Sequence, residues 1–203
     1  MVKNNIILPI KRKDLPEGVK PIDSTWACKK KSNGKLRGRL NARGFKQKEG
    51  QDYIEESIHA PVTQKTTVFV TLVLGEMNGW RRRCIDVSGA FLKEEFEDGE
   101  EIYMEVPRGW EKFYGKEVVL KLLATIYGLK QSAMAFWREL VRCMQDMKMK
   151  RSSANPCSHY RWDNRRLILV TSWIDNKFIT GETELAKETE NELQERFECT
   201  DKG

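Results

Sequence analysis

Two short stretches place acids where acids are uncommon. In WRRRCIDVSGAFL, Asp86 stands between Ile85 and Val87, inside a short apolar strand core. In SWIDNKFITG, Asp175 and Asn176 separate two runs of apolar and β-branched residues. A carboxylate in an apolar run is unfavourable unless it closes the strand or serves as a functional acid at a sheet edge. The Asp-Asn pair has two readings. It is a two-residue hairpin turn, or a metal-binding carboxylate pair that has lost one carboxylate. Two strands each delivering an aspartate, with a basic segment nearby, is what two-metal phosphoryl transfer needs. Hard oxygen ligands hold Mg²⁺, the metal activates a 3′-hydroxyl and stabilises pyrophosphate, and cations neutralise a triphosphate. Two aspartates alone do not single out that chemistry.

The basic segment is present. From Ser24 to Lys48 there are nine Lys/Arg and no Asp/Glu, within a chain of net charge +6. That is an electrostatic footprint for polyanions, or else a solubilising surface. From Glu182 to Glu198 seven acids accompany two bases, the composition of a solvated helix face. The five cysteines are scattered without a CxxC, so neither a disulfide framework nor a zinc site is expected, and the setting is reducing. His59 and His159 are far apart in sequence and are not read as metal ligands. The longest apolar run, Val68 to Leu74, is too short to span a bilayer. No secretory signal is recognisable, so the expected location is intracellular, cytoplasmic or nuclear, with no membrane partner.

Several elements must position these residues. With 203 residues the chain fits one domain, or one domain with two lobes. Residues 1–22 read as an irregular N-terminal segment, with Pro9, Pro16 and Pro21 as breakers. TWACKKKSNGKLRGRLNARG reads as a hairpin turning at Ser32 to Gly34. Strand alternation then puts Lys35, Arg37 and Arg39 on one face, with Arg43 on the same parity. Residues 66–79 are assigned to a helix closed by Asn-Gly. SAMAFWRELVRCMQDMKMK is an amphipathic helix with Phe136, Trp137, Leu140, Val141, Met144 and Met147 on one stripe, the methionines as core filler. RRLILVTSWIDNKFITG is strand, turn, strand, and ELAKETENELQERF is a further helix. Strands with helices on one face give an α+β class.

Six blocks carry a resemblance: WACKKKSNGKLRGRLNARGFKQKEGQDY, APV, IDVSGAFL, EEIYMEVPRGW, TIYGLKQSAMAFW and SWIDN…TG. Together they resemble the reverse transcriptase of Ty1/copia-type retrotransposons, in the family's order, over roughly residues 20 to 203. The resemblance implies a right-hand polymerase fold, with fingers near 23–80 and palm near 81–203. It also implies an RNA or DNA template with primer, dNTPs, and two Mg²⁺ ions (or Mn²⁺). It makes Asp86 and Asp175 the metal-binding aspartates and turns the Val87 carbonyl toward a metal. Phe91 is then a steric gate against a ribose 2′-hydroxyl, rather than simply a core ring. Lys35, Arg37, Arg39 and Arg43 fall in the region that contacts the triphosphate. Gly128, Lys130 and Gln131 fall in the block lining the nucleotide and template pocket, where Gly128 allows close backbone approach.

The sequence departs from that pattern at informative points. Asn176 stands where the family's hairpin motif, aromatic-x-Asp-Asp, has its second aspartate. Phe69 replaces an expected arginine, Glu94 a glycine, and Asn155 an aspartate before Pro-Cys. The chain stops at FECTDKG, before the family's thumb, and shows no RNase H, integrase, protease or Gag segment. The expectation is a fragment of a decaying element whose fold survives. Three functions stay open: an active RNA-directed DNA polymerase, a folded inactive relic, or a host-adopted nucleic-acid-binding module.

Overall fold

A computed structural model describes residues 6–31, 34–92, 95–96 and 99–202. The expected turn at Ser32 and Asn33, and Glu94, lie outside the described residues. The chain divides into two compact units, each built from two stretches. One comprises Met1–His59 and Phe91–Phe136; the other comprises Ala60–Ala90 and Trp137–Gly203.

The first unit holds a hairpin, β2 (Ser24–Lys30) with β3 (Leu36–Ala42), as alternation and turn residues require. It also holds a three-stranded antiparallel sheet in the order β1-β6-β5, with β1 at Ile7–Lys11, β5 at Ile102–Glu105 and β6 at Val118–Leu122. The N-terminal segment is therefore not irregular throughout. Ile7–Lys11 is an edge strand, and Pro9, opposite Leu120, is tolerated there because an edge position leaves its missing N–H without a required acceptor. Ile6, Ile7, Ile22, Leu40, Met104 and Ile126 are among the residues of this unit's apolar core.

The second unit is a six-stranded antiparallel sheet, ordered β11-β4-β10-β9-β8-β7. The strands are β4 (Arg81–Val87), β7 (Lys150–Arg151), β8 (Ser158–Asp163), β9 (Arg166–Trp173), β10 (Asn176–Gly181) and β11 (Cys199–Asp201). The helix α1 (Lys65–Met77) confirms the helical assignment and ends at Asn78, with Gly79 at φ +62°. A Cβ at Gly75 would meet the Thr180 and Arg82 side chains, so α1 covers the face carrying those residues. The helix α3 (Thr183–Arg196) instead reaches Arg83, of opposite parity, through Glu190. The helices thus lie on both faces rather than one. Ile85, Val87, Val170 and Ile179 share the face of Arg83 and are buried there, while Thr171 and Thr180 are buried on the α1 face. The helix α2 (Ser132–Asp146) buries Phe136, Leu140 and Met144, and Met147 just beyond it, whereas Trp137 and Val141 of the expected stripe are half-buried. Among the described residues no helix is long and apolar enough to cross a membrane.

Candidate functional site

Antiparallel pairing of β4 with β10 sets Asn176 directly opposite Asp86. The Val87 N–H donates to the Asp175 carbonyl at 2.8 Å. That bond spans the flanking residues, so Asp86 and Asn176 form a non-hydrogen-bonded pair, the type with Cα atoms about 4.5 Å apart and side chains close on one face. Asp86, Val87, Asp175 and Asn176 are therefore brought together. The turn itself differs from expectation. Trp173 pairs with Asn176, so the two turn residues are Ile174 and Asp175 rather than Asp175 and Asn176. Ile174 takes φ +54°, an uncommon conformation for a β-branched residue and one that costs energy unless its surroundings impose it.

The Asn176 amide nitrogen donates to Asp175 Oδ1 at 3.1 Å. The Asp86 carboxylate, partly exposed, lies 3.8 Å from the Lys202 ammonium group. Magnesium commonly takes one or two protein carboxylates and completes its shell with water and phosphate oxygens. Asp86 and Asp175 fit one such ion by that chemistry. Among the described residues no cluster of three or more His, Cys, Asp or Glu provides a fuller ligand set.

Beneath the turn lies Lys177, fully buried, its ammonium group donating to the Ile174 carbonyl at 2.7 Å. Burial lowers its pKa to about 8, opposed by the charges of Asp175, Cys199, Cys157 and Asp86. Ser172, directly opposite Lys177 on β9, is also buried, and its hydroxyl has no partner among the described residues. Sequence reading passed over Lys177. Alternation supplies the signal, because Ile85, Val87 and Ile179 share its face and an apolar residue is expected there.

In the first unit the β2–β3 register sets Lys29 opposite Arg37 and Ala27 opposite Arg39. Lys31 donates its N–H to the Lys35 carbonyl, so Lys29, Lys31, Lys35, Arg37 and Arg39 share one side of the hairpin. Lys29 and Lys31 were not anticipated, yet mirroring β3 about the turn would have found them. Like charges directly opposite one another destabilise a ladder, which favours an anionic partner on this face. Arg43 leaves the stripe. It pairs with Asp23 at 2.8 Å, and Lys46 joins at 3.0 Å. Burial raises the Asp23 pKa, but the Lys46 hydrogen bond and the charges of Arg43 and Lys46 hold it below the ordinary value.

The Arg39 guanidinium lies 4.8 Å from the centroid of the Tyr127 ring, Tyr127 meets Phe91 edge-to-face at 5.5 Å, and Phe91 meets Phe136 at 5.9 Å. Tyr127, unmarked in the sequence, thus connects a stripe cation to the candidate gate. Gly128, at φ +91°, does allow close approach, and the approaching group is the Ala42 backbone. Gln131 is buried, accepting from Gln47 at 3.0 Å and donating to the Asp52 carbonyl at 3.1 Å. Lys130 donates to the Tyr53 hydroxyl and lies over its ring.

A family model described as reverse transcriptase (RNA-dependent DNA polymerase) matches residues 10–203. The chain is 30% identical over 197 residues to the retrovirus-related Pol polyprotein from transposon TNT 1-94 of Nicotiana tabacum. It is 30% identical over 188 residues and 28% over 192 residues to the corresponding polyproteins from transposons RE2 and RE1 of Arabidopsis thaliana. These alignments cover 94%, 90% and 92% of the chain but only 14%, 13% and 13% of those relatives.

Proposed function

The chain belongs to the reverse transcriptase family of Ty1/copia-type retrotransposon Pol polyproteins, and from that premise we propose that it forms the fingers and palm of an RNA-directed DNA polymerase weakened at one catalytic position. Its substrates are dNTPs and a primer on an RNA or DNA template. The observation that carries this reading is the pairing of Asp86 with the Asp175–Asn176 hairpin on adjacent strands. Asp86 and Asp175, with the Val87 carbonyl, would hold the divalent ion. Mg²⁺ (or Mn²⁺), when bound there, supplies Lewis-acid stabilisation of phosphate charge. The stripe of Lys35, Arg37 and Arg39 binds the triphosphate, Phe91 excludes a ribose 2′-hydroxyl, and Lys130 and Gln131 support the pocket wall.

Asn176 gives the site one carboxylate fewer than the family motif. An amide brings a neutral oxygen where a carboxylate brings a charge, and it spends an N–H on Asp175. About 1.4 kcal/mol of lost transition-state stabilisation is already tenfold in rate. The same hydrogen bond favours a second reading, a folded template-binding module with little catalysis.

Primer extension on an RNA template with Mg²⁺ and dNTPs separates them, comparing the chain with Asn176→Asp. The expected result is extension by the variant at least about a hundredfold faster than by the unmodified chain. Extension by neither would overturn the polymerase reading and leave template binding.

A further inference from the structure

The helix α1 has no role in the chemistry above, and its composition does not suit a helix with one side in water. Between Lys65 and Glu76 it carries no charged residue. Thr71 and Gly75 are buried, on the side where a Cβ at Gly75 would meet the sheet. The opposite side holds Phe69, Val70, Val73 and Met77, all exposed, Phe69 at 65% and Met77 at 78%. At about 100° per residue these four fall within an arc of about 100°. A helix that is apolar all round is one that is covered all round. By contrast α3, which also covers the sheet, turns Lys187, Glu188, Asn191 and Glu195 to solvent.

The charges at the two ends of α1 indicate what covers it. Lys65 and Glu76 are both exposed. They lie about 16 Å apart along the axis but only about 20° apart around it, so both stand on the same edge of the apolar stripe. The Glu76 carboxylate is also held by Arg82 at 2.7 Å. A second α1 laid antiparallel across the first, with the two-fold axis level with Val70 and Thr71, brings each Lys65 level with Glu76 of the other copy. A parallel pair sets like charges level instead. The stripe is therefore self-complementary in one arrangement, as a two-fold interface must be. Its area is on the order of 300–600 Å², somewhat less than the roughly 800 Å² that each partner gives to a standard stable complex. That size suits a weak, reversible dimer.

We propose that the outer face of α1 docks a second copy of this chain. The two helices pack antiparallel, with Phe69, Val70, Val73 and Met77 at the centre and two Lys65–Glu76 ion pairs along one rim. The contact does not depend on the polymerase reading.

Sedimentation equilibrium of the full chain, freed of nucleic acid, tests it. The unmodified chain should pass reversibly from monomer to dimer with a Kd on the order of 1–100 μM. Phe69→Arg should weaken association by at least about tenfold, because it buries an unpaired charge at the centre of the contact. Lys65→Glu should also weaken it, and adding Glu76→Lys should bring it back, since the exchanged pair is complementary in the antiparallel arrangement. Should Phe69→Arg not fold, Met77→Lys, at the more exposed end of the stripe, takes its place. A chain that stays monomeric throughout that range would overturn the proposal and leave the face to a different partner. A dimer indifferent to Phe69→Arg, or one that the exchanged pair does not restore, would overturn it as well.

Discussion

Gly128→Ala should damage the fold of the first unit even if Gly128 never touches a ligand. The added Cβ would lie 2.2 Å from the Ala42 carbonyl oxygen and 3.1 Å from the Ala42 nitrogen, both backbone atoms that cannot rotate away. The backbone at φ +91° adds about 1–2 kcal/mol of strain for an L side chain. Relieving the clash pulls apart two backbone hydrogen bonds, Ala42 N–H to the Tyr127 carbonyl at 2.7 Å and Gly44 N–H to the Gly128 carbonyl at 3.1 Å. Each is worth about 1 kcal/mol net. The total is roughly 3–4 kcal/mol. Urea unfolding measures it, with Gly50→Ala as control. Gly50 is also at positive φ, +75°, but has nothing within 4 Å of its Cβ position, so it should lose only the strain. If the two variants lose the same stability, close approach is not what Gly128 provides.

Three further outcomes are expected. Asn155→Ala should cost roughly 2–4 kcal/mol in urea unfolding, because the buried Asn155 amide donates to Thr63 and Thr67 at 3.0 and 2.8 Å and accepts from the Cys157 N–H at 2.9 Å. His159 is buried, with neither ring nitrogen partnered among the described residues, and burial, then the Arg151 charge, lowers its pKa to about 4. The unfolded chain takes up that proton first, so stability is intact above about pH 6.5 and falls by roughly 3 kcal/mol as pH drops toward 4; His159→Phe should flatten unfolding free energy across that window. Finally, Lys29→Gln with Arg37→Gln should reduce the salt dependence of single-stranded nucleic-acid binding by about 1.4 in log–log slope, and an unchanged slope would place the phosphates elsewhere.

Much of this architecture was legible because periodicity and turn residues act locally. The β2–β3 hairpin, the stripe of α2 and the closure of α1 at Asn78 follow from spacing alone. Asp86 was conspicuous for the same reason, as an acid inside an apolar strand, and Asp175 as an acid between two apolar runs. What escaped depends on long-range pairing. β1 was hidden because Pro9 suggests a break, and only its partner β6 makes it an edge strand. The turn was displaced by one residue because the Asp-Asn pair carries stronger turn chemistry than Ile-Asp, while the pairing of β10 with both β4 and β9 fixes the register. Helices on both faces could not be read from α1 or α3 alone. Tyr127 became visible only once its neighbours across the chain were known.

The interleaving of the two units has a consequence during synthesis. Ile7 has no strand partner until Leu122, 115 residues later, has been made. At about 5–20 residues per second, that interval lasts roughly 6–23 s. Throughout it Ile6 and Ile7, which end up buried, are without the strand that will cover them. The β2–β3 hairpin closes within a few residues of its own synthesis, and β8, β9 and β10 also meet in immediate succession. β4, carrying Asp86, must wait for β10. Nascent chains should therefore engage chaperones through the exposed β1 segment, and Asp86 should meet Asn176 only once β10 has been made.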